Sequence, residues 1–395
     1  MTLSRTVAFS KHATNLFLHI LTKCNLKCRH CYINPTQHGK NTLALPTIKA
    51  WLAAFANNSR SMNLIFLGGE PTLHPELAAA VAHARRLGFG SITIDTNGYL
   101  FGDILSKVTP AQVDYFSFSL DGATRETNDG NRGVGSYDTC LTGIRRAIDR
   151  GFRTSLIYTV SSSNIHELEM MVPLLDKLGI DRFFIQVIGL RGKSAIDRDA
   201  SDSGNSPQVS RERWLATVPK AAAAIAELGI HVTYPKVFLG AAEKFECAGT
   251  VADNYFVFPN GRVYRCPLCE DFPIHSLCFE EDQLVPTARL NEQDFFKLDI
   301  AEGCVMNKMI QPSNISYDDK GMPEFKIACC LLKEEIRGGL REILDFGLRI
   351  LDLMYSACRE SFVERSILFQ IERSDSDNLK SEISNPKSQY PMTEI

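Results

Sequence analysis

The stretch Leu16-Phe17-Leu18-His19-Ile20-Leu21-Thr22-Lys23-Cys24-Asn25-Leu26-Lys27-Cys28-Arg29-His30-Cys31 sets an apolar run of strand length directly before three cysteines. Three thiols within eight residues, with gaps of three and two, are too crowded for disulfides. They suit a cluster holding more than one iron. Three protein ligands on a four-iron cube leave one iron open for chemistry, whereas electron-transfer clusters with four thiolates close that position. The competing reading is a zinc knuckle one ligand short, completed by His30 or a distant cysteine.

Outward from this run, apolar segments of strand length alternate with amphipathic helical segments through residue 190. Strands are expected at 16–21, 63–67, 91–95, 115–120, 154–160 and 182–188, and helices at 46–57, 75–87, 137–150 and 164–178. Pro46 and Pro75 suit first-turn positions, and Gly88, Gly151 and Gly179 stand just past helix ends, where a left-handed residue is needed. Six such units predict an α/β fold whose parallel sheet bends into an open, TIM-like barrel. In such a barrel functional groups gather at the C-terminal ends of the strands. Gly68-Gly69-Glu70-Pro71, Asp95-Thr96-Asn97-Gly98 and Ser119-Leu120-Asp121-Gly122 each close an expected strand. Taken singly, these are ordinary turn sequences. On the fourth strand Phe116 and Phe118 alternate with Ser117 and Ser119, and the polar pair is expected to line the cavity. His19 reads as a satisfied core histidine, and Cys140 and Cys358 as buried fillers of helical patterns.

The three-cysteine run and the strand-end motifs together resemble the radical S-adenosylmethionine (SAM) enzymes. Their signature is Cys, three residues, Cys, two residues, Cys, usually with an aromatic residue before the last cysteine, where this chain has His30. The resemblance spans roughly residues 14–190 and implies a partial (β/α)6 barrel. It implies that Cys24, Cys28 and Cys31 hold a catalytic [4Fe-4S] cluster. Gly68 and Gly69 would bind the SAM amino group, with Glu70 in support. Asn97, Ser119 and Asp121, beside Asp95 and Thr96, would grip its ribose and carboxylate. Arg132 would clamp the SAM carboxylate with two parallel bonds, although many members carry His-Asp where this chain has Asn128-Asp129. Gln186 is a candidate for the adenine edge. The implied reaction is reductive cleavage of SAM to a 5′-deoxyadenosyl radical, which takes hydrogen from a peptide or small-molecule substrate and leads to an oxidative modification. It implies a low-potential electron donor such as a flavodoxin or ferredoxin. The alternative is a non-catalytic iron–sulfur protein for electron transfer or sensing, and a zinc-stabilised interaction module is a third reading.

A chain of 395 residues, 44% hydrophobic, can bury a large core and suggests two domains with extensions. Its net charge of −3, without a basic block, disfavours nucleic acid. No signal-like core precedes residue 14, and no apolar run is long enough to span a membrane. Twelve cysteines in so long a chain then fit a reducing compartment, and a cytoplasmic metalloprotein is expected. The expected divisions are a lead-in at 1–14, the barrel at 15–193 and a polar linker or lid at 194–209. A cysteine-rich β-hairpin/α extension follows at 210–330, opening with a helix at 211–228, then a helical segment at 331–371 and a disordered tail at 372–395.

Within that extension, residues 255–264 read as two strands around Pro259-Asn260-Gly261, with Cys247 and Cys266 toward the outer ends. This resembles the start of the SPASM and twitch extensions, which hold auxiliary four-iron clusters. The full SPASM cysteine series is absent, and Cys278 fits neither spacing. One auxiliary [4Fe-4S] cluster is therefore expected on Cys247, Cys266, Cys269 and Cys304, with Cys329 as rival for a place. A structural zinc competes with it, since four thiolates serve either metal.

Overall fold

The computed structural model describes residues 5–7, 13–56, 61–196, 206–311 and 314–338. Residues 197–205 of the expected linker, the expected helical segment beyond 338, Cys358 and the expected disordered tail lie outside the described residues. The strands are β1 (Arg5–Val7), β2 (Ala13–His19), β3 (Ser61–Leu67), β4 (Ser91–Thr96), β5 (Tyr115–Ser119), β6 (Thr154–Val160), β7 (Arg182–Val187) and β8 (His231–Pro235). They continue with β9 (Phe238–Gly240), β10 (Asp253–Val257), β11 (Arg262–Tyr264), β12 (Leu277–Glu280), β13 (Gln283–Pro286), β14 (Phe325–Ile327) and β15 (Lys333–Ile336).

The main sheet runs β1-β15-β8-β7-β6-β5-β4-β3-β2-β10-β11-β12-β13, and β9 pairs with β14 apart from it. From β8 to β10 every neighbouring pair is parallel. The six expected strands are β2 to β7. The ladder of β2 stops at His19, because Leu21 turns away to bridge Thr42. Helices Leu45–Ala56, Leu77–Arg86, Ser136–Asp149 and Arg211–Glu227 stand where the apolar periodicity requires them. Gly88, Gly151 and Gly179 take φ of 85°, 78° and 70° just past helix ends.

The structure corrects or extends the expectation at four points. The helix expected from 164 begins at Met171, after a 3-10 turn. Pro173 fits only a first turn, and the Asn164 side chain accepts from Ser161 N at 2.7 Å, competing with helix formation. The parallel run extends past the six expected strands: the helix Arg211–Glu227 returns the chain to β8, a further parallel strand, and β10 adds another beside β2. The lead-in contributes β1, and the expected linker opens with a short helix, Lys193–Ile196. Finally, helix does not begin at 331. Residues 333–336 form β15, antiparallel to β8 on one side and to β1 on the other.

Alternation along the strands divides a dry layer from a wet one. Leu16, Leu18, Leu64, Ile92, Phe116 and Leu156 are almost wholly buried under the helices, each contributing about 1.5–3 kcal/mol. The opposite set faces the barrel cavity, which includes Phe17, Ile65, Asp95, Ser117, Ser119 and Arg182 among its walls. Ser117 and Ser119 thus line the cavity as the alternation predicts. Low in the barrel, Asn63 Nδ2 donates to Asn15 Oδ1 at 2.9 Å and Asn15 Nδ2 to Asn254 Oδ1 at 2.8 Å, tying β3, β2 and β10.

Candidate active site

The three-cysteine loop leaves β2 and folds back over the strand ends. Gly69 N donates to Leu21 O and Glu70 N to Lys23 O, both at 3.0 Å. Arg29 N donates to Asn131 O and Lys193 N to Cys31 O, both at 2.9 Å, so both flanks of the loop are fastened. A Cβ on Gly69 would lie 2.3 Å from Lys23 O, and one on Gly68 2.6 Å from Leu21 O. Only glycine permits this approach.

Glu70, wholly buried, joins the ends of β3 and β4. Its Oε1 accepts from Thr72 Oγ1 at 2.5 Å, Thr72 N at 3.1 Å and Thr96 Oγ1 at 2.8 Å, and its Oε2 accepts from Asn97 N at 2.8 Å. Burial raises its carboxyl and these donors oppose the rise. Asn97 in turn donates from Nδ2 to Asn25 Oδ1 at 2.8 Å and approaches Cys24 Sγ at 3.8 Å. Glu70 therefore acts by holding Asn97 against the cysteine loop.

Asp121 is drawn away from the cavity into a charged knot. Its Oδ2 lies 2.5 Å from Arg132 Nε and 3.1 Å from His30 Nε2, while Oδ1 accepts from Thr159 N at 2.8 Å. The Arg132 contact is an ion pair without hydrogen-bond alignment, for both atoms lack a hydrogen-bond partner by geometry. Burial alone would raise the Asp121 carboxyl, but Arg132 and His30 outweigh it and hold it well below the usual carboxylate range. His30 thus fixes its loop to the end of β5. Arg132 still lines the cavity, as do Cys28, Cys31, Gly68, Gly69, Glu70, Asn97 and Ser119. That cavity, of about 510 Å³, is within the range of small-molecule sites.

Sequence reasoning read His19 as a core residue and overlooked its partner, Tyr32. His19 Nδ1 bonds Val257 O at 3.0 Å and its Nε2 bonds the Tyr32 hydroxyl at 2.8 Å. Burial pulls His19 down to about 3, so it is neutral, with Nδ1–H donating to the carbonyl and Nε2 accepting from Tyr32. Asp95 also faces the cavity, and burial pushes its carboxyl up to about 7 against a Ser117 hydrogen bond.

In the second cysteine region, Cys247, Cys266, Cys304, Cys329 and Cys330 line one cavity floored by Phe296, Met306 and Leu268. Cys269 is fully buried; its backbone N donates to Cys266 O at 3.1 Å and its sulfur accepts from the Cys266 thiol. Cys140 is buried within its helix, as read from the pattern. Burial pushes the Cys24 thiol up to about 11 and raises Cys28, which Arg132 opposes. Burial also raises Cys247 and Cys304, and hydrogen bonds to Cys269 and Cys330, with burial, hold Cys266 and Cys329 well above their ordinary value. Neutral thiols are poor nucleophiles, whereas a bound cation replaces their protons. Among the described residues no three such side chains converge on one metal-ion position. A four-iron cluster spreads its thiolates over separate irons and needs no such convergence.

Residues 18–175 match the profile of the Radical SAM superfamily. Fe-coproporphyrin III synthase of Methanosarcina barkeri is 32% identical over 204 residues, which are 50% of this chain and 50% of that protein. Pre-heme d1 synthase of Dinoroseobacter shibae is 31% identical over 183 residues, 46% of this chain and 45% of that protein. The matches thus span about half the length of these curated relatives. In fold, the chain is similar to Streptococcus suis SuiB in its crystal structure bound to S-adenosylmethionine, with a TM-score of 0.52 and 15% identity over 79% of this chain and 67% of that one. The strand-end motifs and the fastened cysteine loop fall within residues 18–175, the stretch that is similar to the Radical SAM superfamily.

Proposed function

We propose that the chain is a radical SAM enzyme that cleaves SAM reductively and modifies a peptide or small molecule by hydrogen abstraction. The carrying observation is the loop of Cys24, Cys28 and Cys31 fastened to Gly69 and Asn97 over a cavity of about 510 Å³. Bound there, a [4Fe-4S] cluster and SAM would supply a 5′-deoxyadenosyl radical. The chain's own residues supply position. Gly68 and Gly69 leave backbone groups open to the SAM amino end, Asn97 and Ser119 offer hydrogen bonds, and Arg132, anchored by Asp121, offers its remaining N–H groups to a carboxylate.

The second region supports an auxiliary [4Fe-4S] cluster of the SPASM/twitch kind, with Cys247, Cys266 and Cys304 as ligands. Cys329, which faces the same cavity, suits the fourth place better than Cys269. A low-potential flavodoxin or ferredoxin would deliver the electron. No described helix is long and apolar enough to cross a membrane, and the cysteine chemistry favours a reducing cytoplasm. The names of the two curated relatives favour a small molecule over a peptide. The test is anaerobic reconstitution with iron and sulfide, then dithionite and SAM. Release of 5′-deoxyadenosine that depends on Cys28 supports the reading, and an iron-loaded protein releasing none refutes it.

A further inference from the structure

Of the cations that line the cavity, two have carboxylate partners. Arg132 is paired with Asp121, and Arg191 with Glu270 at 2.9 Å. Two other cations line the same space, Arg182 and Lys333, and neither makes an ion pair among the described residues. Lys333 Nζ donates to Cys330 O at 3.1 Å, which uses one of its three donors. The Arg182 guanidinium lies 4.2 Å from the centre of the Tyr115 ring, whose other cationic neighbour is Arg153 at 4.5 Å. Tyr115 also lines the cavity, is 94% buried, with 6% relative exposure, and has a hydroxyl without a hydrogen-bond partner. A buried hydroxyl so left costs free energy that a ligand oxygen would recover.

Asp95 and Glu70 also line the cavity, and neither is paired with these two cations among the described residues. Register puts Asp95 beside Ser117, Ser117 beside Ser155 and Ser155 beside Arg182. Three strand spacings, about 14 Å, therefore part Asp95 from Arg182. The cations themselves sit at different depths. Arg182 opposes His231 at the start of β8, whereas Lys333 opposes Pro235 at its end. Four residues of strand separate those levels, about 13 Å. The wall includes Phe17, Ile65, Ile157, Phe184 and Phe256, with Thr93, Ser117 and Thr233 among them.

We propose that this cavity takes a substrate with an apolar body and at least two anionic groups, one bound by Arg182 and Tyr115 at the floor and one by Lys333 at the rim. This rests on the enzymatic reading above and names the substrate class of the same site. Carboxylate and phosphate share the required chemistry, and the probes distinguish them. The floor group receives the Arg182 N–H donors and the Tyr115 hydroxyl, and the rim group receives the free Lys333 donors. The apolar side chains of the wall hold the body between them.

The test is equilibrium binding to the reconstituted full chain of three probes: coproporphyrin III, its uncharged tetramethyl ester, and GTP. Saturable binding of coproporphyrin III, at least tenfold tighter than of the ester and weakened by salt, supports a carboxylate substrate. The same pattern for GTP alone supports a phosphate. Arg182→Gln and Lys333→Met should each weaken the bound anion about tenfold or more, with Arg182→Lys recovering part of the loss. If Arg182→Gln fails to fold, Arg182→Lys and the salt dependence of the unaltered protein carry the test. Binding of neither anion, or affinity unchanged within twofold in both variants, overturns the inference. Release of 5′-deoxyadenosine without anion binding sinks this inference alone, whereas anion binding without such release sinks the radical reading and leaves this one standing.

Discussion

Replacing Gly69 by alanine tests whether the close approach of β3 to the cysteine loop sets the site. The added Cβ would lie 2.3 Å from Lys23 O and 2.5 Å from both Lys23 C and Thr22 O. These are backbone atoms of the loop itself, so no side-chain rotation relieves the clash. Ordinary contact begins at 3.4 Å, so loop and strand must part by about 1 Å. Overpacking of this kind costs about 1–3 kcal/mol, and a reacting group misplaced by about 1 Å loses about 100-fold in rate. The control is Gly88→Ala, where nothing stands within 4 Å but φ is +85°. It should cost about 1–2 kcal/mol from the left-handed backbone alone. Thermal unfolding, iron content and 5′-deoxyadenosine release are read on both variants after anaerobic reconstitution. Gly69→Ala should lose iron, release rate or both, while Gly88→Ala loses only stability. Equal release rates from Gly69→Ala and the unaltered protein, at equal iron content, would refute the argument.

Three further outcomes follow from the same geometry. Asp121→Asn removes the charge that Arg132 and His30 share, and SAM affinity, measured by calorimetry on the reconstituted protein, should fall about tenfold. Because the folded Asp121 pKa is depressed, its stabilising contribution is present above the unfolded value of about 3.9 and lost only as pH falls through the lower folded value. Asp95 has the opposite sign: with a folded pKa of about 7, its burial makes stability decline as pH rises from about 4 to about 7. Asp95→Asn should flatten that slope in urea titrations, and an unchanged slope would show that Asp95 ionises freely. Cys329→Ala should lower iron content by about one four-iron cluster with 5′-deoxyadenosine release retained, whereas Cys269→Ala should keep the iron; the reverse pattern would put Cys269 in the ligand set.

The parallel core was legible because its signals are local. Ser117 and Ser119 alternate with Phe116 and Phe118, and that alternation alone assigns cavity and helix faces. The strand-ending glycines and prolines likewise marked their own boundaries. What escaped the sequence depends on contacts across long separations. Lys333 lay in a segment apolar at helical spacing, and only pairing with β8 and β1 makes it a strand that turns its ammonium into the cavity. Asp121 looked like a free ligand, because nothing near it in sequence reveals that His30 and Arg132 converge on it. Cys329 stood only as a rival ligand, because nothing near it in sequence reveals that it lines one cavity with Cys247, Cys266 and Cys304.

The central claim is that Cys24, Cys28 and Cys31 leave one iron of a bound cluster free to receive SAM. Electron paramagnetic resonance of the dithionite-reduced, anaerobically reconstituted protein, before and after SAM, tests it most directly. A [4Fe-4S]⁺ signal that changes on adding SAM, and whose SAM-responsive part vanishes in Cys28→Ala, is the predicted result. A reduced cluster signal that SAM leaves unchanged would contradict it.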